Sequence, residues 1–132
     1  RLPGDDVASS CPFHAHCAEG LAAGPAVHRR LGEGRDLARE PATMELIADY
    51  LGQLGAALVM TWSPHRIVWG GGVVTAAHLV PAIEQRLVAA LGGYGAGEAV
   101  TEPGFCAPAM LEHAGLEGAM LIARKLAADG PG

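Results

Sequence analysis

Aromatic side chains and basic residues are both scarce in this chain of 132 residues. Only 5% of the residues are aromatic although 50% are hydrophobic, so small residues and close backbone contacts must build much of the core. Lysine and arginine number 9 against 14 acidic residues, and they form no basic run. Nucleic-acid binding depends on clustered cations that neutralise phosphates. We therefore expect no nucleic-acid partner for this segment.

Long uninterrupted apolar runs are also missing. The most apolar helical stretch, residues 44–62, contains Glu45, Asp49 and Gln53, which are costly to place in lipid, so no membrane span is predicted. No signal peptide is visible in the sequence. Three cysteines are an odd number and too few for a disulfide scaffold. A reducing compartment, the cytoplasm, is the expected location.

An initiator methionine is absent as well. The chain opens on Arg1-Leu2-Pro3-Gly4-Asp5-Asp6, which is typical of a loop entered midway. We expect a fragment of a longer protein, although a trimmed protein would begin in the same way. The length suits one ordinary domain with a modest core.

Helices and short strands alternate along the rest of the chain. Residues 1–17 are polar, and Pro25 is well placed to begin the second of two short helices within residues 19–31. The spacing of Ile47, Tyr50, Leu51, Leu54 and Leu58 predicts one apolar stripe on a helix. The other predicted elements are a strand at 66–69, a helix from Pro81 carrying Ile83, Leu87 and Leu91, a possible strand at 98–101, and helices at 41–61 and 114–128. This order predicts an α/β fold.

The segment Cys11-Pro12-Phe13-His14-Ala15-His16-Cys17 carries the strongest chemical signal. Cys11, His14 and Cys17 have the spacing C-x2-H-x2-C, which lets a tight loop turn two thiolates and one imidazole toward one point. Zn²⁺ favours four such ligands in a tetrahedron, and His16 is a possible fourth. Free thiols and solvated imidazoles on a loop are the alternative. Because sulfur-rich sites are generally closed, such a zinc ion would be structural.

The string CPFHAHCAEGLAAGPA, residues 11–26, resembles the zinc loop of the fructokinases of the ROK family, C-P-[FY]-H-G-x-C-x-E-G-L-A-A-G-P-A. Glucokinases and repressors of that family favour a C-x-C-G-x-x-G-C-x-E pattern instead. The resemblance implies that the fourth zinc ligand is a histidine from an upstream G-H pair. No histidine precedes Cys11, and Ala15 replaces the family's glycine.

The same resemblance gives Glu19 a role. It matches the family glutamate that accepts hydrogen bonds from sugar hydroxyls, which an ionised carboxylate does well. From the residue alone, an acidic side chain at the start of a helix is explained by the helix dipole.

A strand running into Gly70-Gly71-Gly72 is the second feature of interest. The triplet is neither a P-loop nor a dinucleotide fingerprint, and alone it is more often a plain turn. In the context P-x-x-I-x-x-G-G-G-V, residues 64–73, it resembles the adenosine-side segment of ROK kinases. The resemblance implies that the three glycines line the adenine and ribose pocket and that Pro25 approaches the nucleotide.

The resemblance covers about residues 3–127 and implies the C-terminal part of an actin/hexokinase-like (ribonuclease H-like) ATPase fold with an N-terminal zinc-binding loop. Two parts are predicted: residues 1–20 as the zinc loop leading into the sugar site, and residues 21–132 as the nucleotide-side α/β domain. Near the end, Met110-Leu111 and Glu112-His113 depart from the family's L-G-D-N, so that stretch is expected to serve packing rather than ligand binding.

The resemblance further implies an ATP-dependent fructokinase that uses Mg²⁺, forms a homodimer and acts on a sugar. The family's N-terminal phosphate segment, second glycine-rich turn and catalytic aspartate have no match here, so residues 1–132 alone are expected to be inactive.

Two alternatives from other classes remain open. One is the sugar-binding domain of a ROK repressor, which an upstream helix-turn-helix would indicate. The other is a small zinc-stabilised interaction module, which would bind zinc but no ATP. Four further histidines, His28, His65, His78 and His113, are expected to be surface or helix-end groups, and Cys106 a small buried hydrophobic residue.

Overall fold

The structure, a computed structural model, describes residues 1–94, 100, 102–111 and 113–130. The elements in these residues follow one another as α1 (Ala18–Ala22), α2 (Gly24–Leu31), α3 (Pro41–Trp62), β1 (Ile67–Trp69), α4 (Leu79–Leu91), β2 (Cys106–Pro108) and α5 (Ala114–Asp129). Short 3₁₀ turns lie at Leu37–Arg39 and Gly72–Thr75. The predicted α/β order is confirmed as a mixed fold with a small parallel sheet.

Helix α3 is the central element of the core. It begins at Pro41, where the missing amide hydrogen needs no partner, and ends at Ser63 in a left-handed conformation with φ of 46°. Its buried residues are Ile47, Ala48, Tyr50, Gly52, Gly55, Ala56 and Val59. The predicted stripe is therefore only partly right, because Leu54 is 36% exposed. Gly52 and Gly55 lie on the face of α3 that packs against α4.

Helices α3 and α4 lie in close contact at those glycines. A methyl group on Gly52 would lie 2.9 Å from the backbone nitrogen of Leu87 and 3.0 Å from the carbonyl carbon of Arg86. The predicted apolar face of α4, namely Ile83, Leu87 and Leu91, is buried. The helix begins at Leu79, two residues before the predicted start at Pro81.

Strands β1 and β2 pair in parallel, with Ile67 opposite Cys106 and Trp69 opposite Pro108. β1 was predicted from its β-branched residues, whereas β2 has no such pattern and was not predicted. The Glu84 carboxylate on α4 accepts hydrogen bonds from the backbone nitrogens of Cys106 at 2.9 Å and Gly104 at 3.3 Å, which fixes the start of β2. The possible strand at 98–101 lies outside the described residues, except for Val100, which is buried.

The start of the chain is fixed to the helices by a buried polar network. The Asp5 carboxylate accepts hydrogen bonds from Arg30 on α2 at 2.6 Å and from the Tyr50 hydroxyl on α3 at 2.7 Å. The Asp5 and Arg30 side chains are only 2% and 4% exposed. The backbone nitrogen of Leu2 donates to the Tyr50 oxygen at 2.9 Å. Residues 1–7 are therefore held at both of these helices.

Helix α5 follows its predicted bounds closely but contains no buried residue. Several of its large apolar side chains are exposed, namely Leu116, Met120, Leu121, Ile122 and Leu126. None of the helices within the described residues is long and apolar enough to cross a membrane.

Candidate metal and ligand site

Cys11, His14 and Cys17 converge at the end of the N-terminal loop. One ligand atom of each lies within 4.8 Å of the others. The Cys11 Sγ atom is 3.7 Å from Nδ1 of His14. Neighbouring ligands of a tetrahedral zinc ion, with bonds of roughly 2.0–2.3 Å, are about 3.3–3.8 Å apart. Two thiols and one imidazole therefore fit zinc after a movement on the order of 1 Å.

The local fold directs these side chains toward one another. Cys17 is the N-cap of α1, and its Sγ accepts a hydrogen bond from the backbone nitrogen of Gly20 at 3.3 Å. The Gly20 carbonyl in turn accepts from the Ser10 backbone nitrogen at 2.8 Å. A side chain at position 20 would collide with Ser9 and lie 2.8 Å from Cβ of Cys11. Glycine at this position thus lets the loop lie directly on α1.

The environment also favours a thiolate. Hydrogen bonds from the backbone of Phe13, and then of His14, lower the pKa of the Cys11 thiol to about 7. Since metal ligation requires a deprotonated sulfur, this shift suits Cys11 to bind a cation near neutral pH. His16 is exposed and is not a member of the cluster formed by the described residues, so the possible fourth ligand named from the sequence stays untested.

Glu19 and the triple glycine line the same cleft. Its volume is about 410 Å³, and it lies between α1, α3 and the turn that follows β1. Glu19 is the only ionisable side chain among the described residues that line it. The other lining residues are Ala18, Ala22, Ala23, Gly24, Leu51, Leu54, Trp69, Gly70, Gly71, Gly72, Val73 and Val74. A single carboxylate therefore shares the cleft with glycines and apolar side chains.

The glycine turn is open to ligands. Gly71 has φ of 103°, a conformation that side chains rarely adopt. A methyl group on Gly71 or Gly72 would meet nothing within 4 Å, so neither glycine is required by packing within the described residues. The same three glycines also line a cavity of about 710 Å³ that extends to Leu111. Backbone groups of the turn are thus accessible from two sides.

The remaining residues singled out in the sequence are not gathered at this cleft. Pro25 is exposed in the first turn of α2 and is not among the lining residues, so its predicted nucleotide contact stays a prediction. His28, His65, His78 and His113 are exposed, as expected for surface or helix-end groups. Cys106 is buried, and burial raises the pKa of its thiol.

Comparison with known proteins identifies the family. The family model described as ROK family matches residues 2–126. The chain belongs to the ROK family, whose fold is actin/hexokinase-like.

Curated relatives carry a common name. The fructokinase of Pediococcus pentosaceus is 39% identical over 126 residues, which are 94% of this chain and 43% of that protein. The fructokinase of Zymomonas mobilis is 35% identical over 128 residues, 93% of this chain and 42% of that protein. The fructokinase of Streptococcus mutans is 33% identical over 86 residues, 64% of this chain and 29% of that protein. The chain therefore spans less than half the length of these relatives.

Proposed function

We propose that this chain is the part of an ATP-dependent fructokinase that contacts the sugar and the adenosine. The complete reaction transfers the γ-phosphoryl group of Mg²⁺-bound ATP to fructose and gives fructose 6-phosphate. The relatives named fructokinase support this choice of sugar. The proposal includes a cytoplasmic location and a homodimer, as the family resemblance implies.

One observation carries the proposal: Glu19 and the Gly70-Gly71-Gly72 turn share one cleft. A carboxylate accepts hydrogen bonds from two vicinal hydroxyls, which suits a sugar. Gly71 and Gly72, where a methyl group would meet nothing within 4 Å, let a nucleotide approach the backbone closely. The two candidate ligand contacts are far apart in sequence, and their meeting at one cavity is what a two-substrate transfer enzyme requires.

In the proposed enzyme Cys11, His14 and Cys17 hold a structural zinc ion. When bound, the ion cross-links a loop that has few buried residues of its own. Glu19 lies two residues beyond Cys17 in the first turn of α1, so the loop fixes the helix end that presents the carboxylate. Sugar recognition is therefore expected to depend on the ordered loop.

Binding measurements test the proposal on both ligands. In calorimetric titrations, Glu19→Gln is expected to weaken fructose binding about 10–100-fold, since a hydrogen bond to a charged group contributes about 1.5–3 kcal/mol. ATP affinity should not change in that variant. Gly72→Val should weaken ATP binding and leave fructose affinity unchanged, because the valine side chain would occupy the space next to the turn. Glu33→Gln, which neutralises an exposed carboxylate outside the cleft, is the matched control.

If the wild-type chain binds neither fructose nor ATP, the proposal is contradicted. Binding of a sugar without ATP would favour the repressor class over the kinase. Binding of zinc without either small molecule would favour the interaction module.

Catalysis by residues 1–132 alone is not expected. Phosphoryl transfer needs a base for the attacking hydroxyl, and Glu19, the one carboxylate among the described residues lining the cleft, is assigned to hold the sugar. A coupled ADP-release assay should therefore show no fructose-dependent turnover. Turnover by this chain would mean that a second carboxylate serves as the base.

A further inference from the structure

The hydroxyl of Ser9 lies at the centre of the loop that carries Cys11, His14 and Cys17. Its Oγ atom accepts a hydrogen bond from the backbone nitrogen of Cys11 at 3.1 Å. The same hydroxyl donates to the backbone carbonyl of His14 at 2.7 Å. One side chain therefore ties the first candidate ligand to the second and keeps the turn between them closed.

Arg29 on α2 holds Ser9 from the other side. Its Nη1 donates to the Ser9 carbonyl at 2.8 Å and to the Ala8 carbonyl at 3.1 Å. Arg29 is twenty residues away from Ser9 in the sequence, so this contact connects the loop to a separate helix. These two hydrogen bonds thus fix the position of the loop relative to α2.

We propose that Ser9 and Arg29 are positioning residues of the metal site. This inference rests on the proposed zinc site at Cys11, His14 and Cys17. Neither residue ligates the ion. Ser9 holds the Cys11 backbone and the His14 backbone at a fixed separation, and Arg29 fixes Ser9 against α2. Groups that orient metal ligands in this way typically contribute about 10–100-fold to metal affinity.

The backbone contacts explain why a hydroxyl is needed at position 9. The Cys11 nitrogen is a donor and the His14 oxygen is an acceptor, so the bridging group must accept one hydrogen bond and donate another. Serine and threonine do both, and alanine does neither. Loss of the bridge lets the two ligands separate, and metal binding must then restore an order that the free loop no longer has.

The test uses metal affinity and a spectroscopic signature rather than enzyme activity. Co²⁺ is titrated into the reduced 132-residue chain, the visible absorption of the thiolate complex is recorded, and Zn²⁺ affinity is obtained by competition against a chelator. The variants are Ser9→Ala, Ser9→Thr and Arg29→Ala. Ser10→Ala is the matched control, because its hydroxyl contacts the Gly20 carbonyl at 3.2 Å and that carbonyl keeps its hydrogen bond from the Ser10 nitrogen. Melting temperatures of the metal-free proteins are measured in parallel.

The expected result is a Zn²⁺ affinity about 10–100-fold weaker in Ser9→Ala and Arg29→Ala, with wild-type affinity in Ser9→Thr and in Ser10→Ala. The Co²⁺ spectrum of Ser9→Ala should change shape, because the ligands no longer meet in one geometry. Equal affinity in Ser9→Ala and the wild type would overturn this inference and leave the zinc site intact. An unchanged Co²⁺ spectrum with a lowered melting temperature would also overturn it, because Ser9 would then serve stability alone. Absence of metal binding by the wild type would overturn the zinc site itself.

Discussion

At the scale of single residues, the chain places a charge where water cannot reach it. The Asp5 carboxylate is buried together with the Arg30 guanidinium and the Tyr50 hydroxyl. Burial acts to raise the pKa of Asp5, but hydrogen bonds from Tyr50, Arg30 and Val7 outweigh it, so the pKa is lowered below its ordinary 3.8. Removal of one member of such a network leaves the others without compensation.

The stability of the protein should therefore depend on pH at both extremes. Because the pKa of Asp5 is lowered by folding, its contribution is complete above pH 3.8 and is lost as the pH falls through the lowered value. Burial, followed by the hydrogen bond with Asp5, raises the pKa of Tyr50 above 10.0, so its contribution is lost as the pH rises beyond 10.0. We expect a plateau of unfolding free energy between these limits, measured by urea denaturation at constant ionic strength.

Asp5→Asn should lower the plateau by about 3–5 kcal/mol, because the buried Arg30 charge loses its partner. It should also flatten the acid limb of the pH profile. Asp6→Asn is the control, because the Asp6 side chain next to Asp5 in the sequence is exposed. An unchanged acid limb in Asp5→Asn would show that other carboxylates govern acid unfolding.

Residue-level prediction from the sequence is easiest where the signal is local. Cys11, His14 and Cys17 lie within seven residues, so their spacing predicts that the three side chains can meet, and their ligand atoms lie within 4.8 Å of one another. Ser9 and Arg29 gave no such signal, because a hydrogen bond across twenty residues follows from the docking of α2 onto the loop. The separate roles of Glu19 and of the glycine turn were implied by the family resemblance, and no pattern in the chain predicts that the two line one cleft.

At the scale of elements, two glycines determine how α3 and α4 pack. Gly52 lies against the backbone of Arg86 and Leu87, and Gly55 lies against the end of the Leu87 side chain. Glycine is a poor helix former, at about 1 kcal/mol less favourable than alanine. The close contact between the helices offsets that cost through dispersion and buried area.

Gly52→Ala is expected to destabilise the fold by about 1–3 kcal/mol despite the higher helix propensity of alanine, because the new methyl group meets backbone that cannot move alone. Gly55→Ala should cost less, since the end of the Leu87 side chain can shift. Gly118→Ala on α5 is the propensity control, as a methyl group there meets nothing within 4 Å. Chemical denaturation of the three variants gives the ranking, and equal stability of Gly52→Ala and the wild type would refute the proposed contact.

Helices were easier to predict than strands for a physical reason. The apolar residues of α4 recur every turn and are visible in the sequence, whereas β2 is three residues long and contains alanine and proline. Its position depends on pairing with β1 and on the Glu84 carboxylate, which lies twenty-two residues before Cys106. No local sequence pattern predicts the pairing with β1 or the hydrogen bond to Glu84.

At the scale of the whole molecule, the described residues divide into a packed part and an exposed helix. Helix α5 has no buried residue, and its apolar side chains contact solvent. An isolated helix of about this length is only marginally stable in water. The core around α3 and α4 therefore contributes little to the stability of α5.

Hydrogen exchange should reveal this division. Amides of Ala114–Asp129 are expected to exchange orders of magnitude faster than those of α3 and α4, because α5 can open without disturbing the core. Mass spectrometry on dilute protein measures both regions in one experiment. Equal protection of α5 and α3 would contradict the expectation and would show that another surface covers α5 in solution.

The intrinsic fluorescence of Trp69 can report on the cleft. Trp69 is 9% exposed, and it lines the cavity beside the glycine turn. The second indole, Trp62, is 79% exposed. Iodide should quench the emission of Trp62 selectively, and the remaining blue-shifted fluorescence then records the entry of a molecule into the cleft without any attached dye.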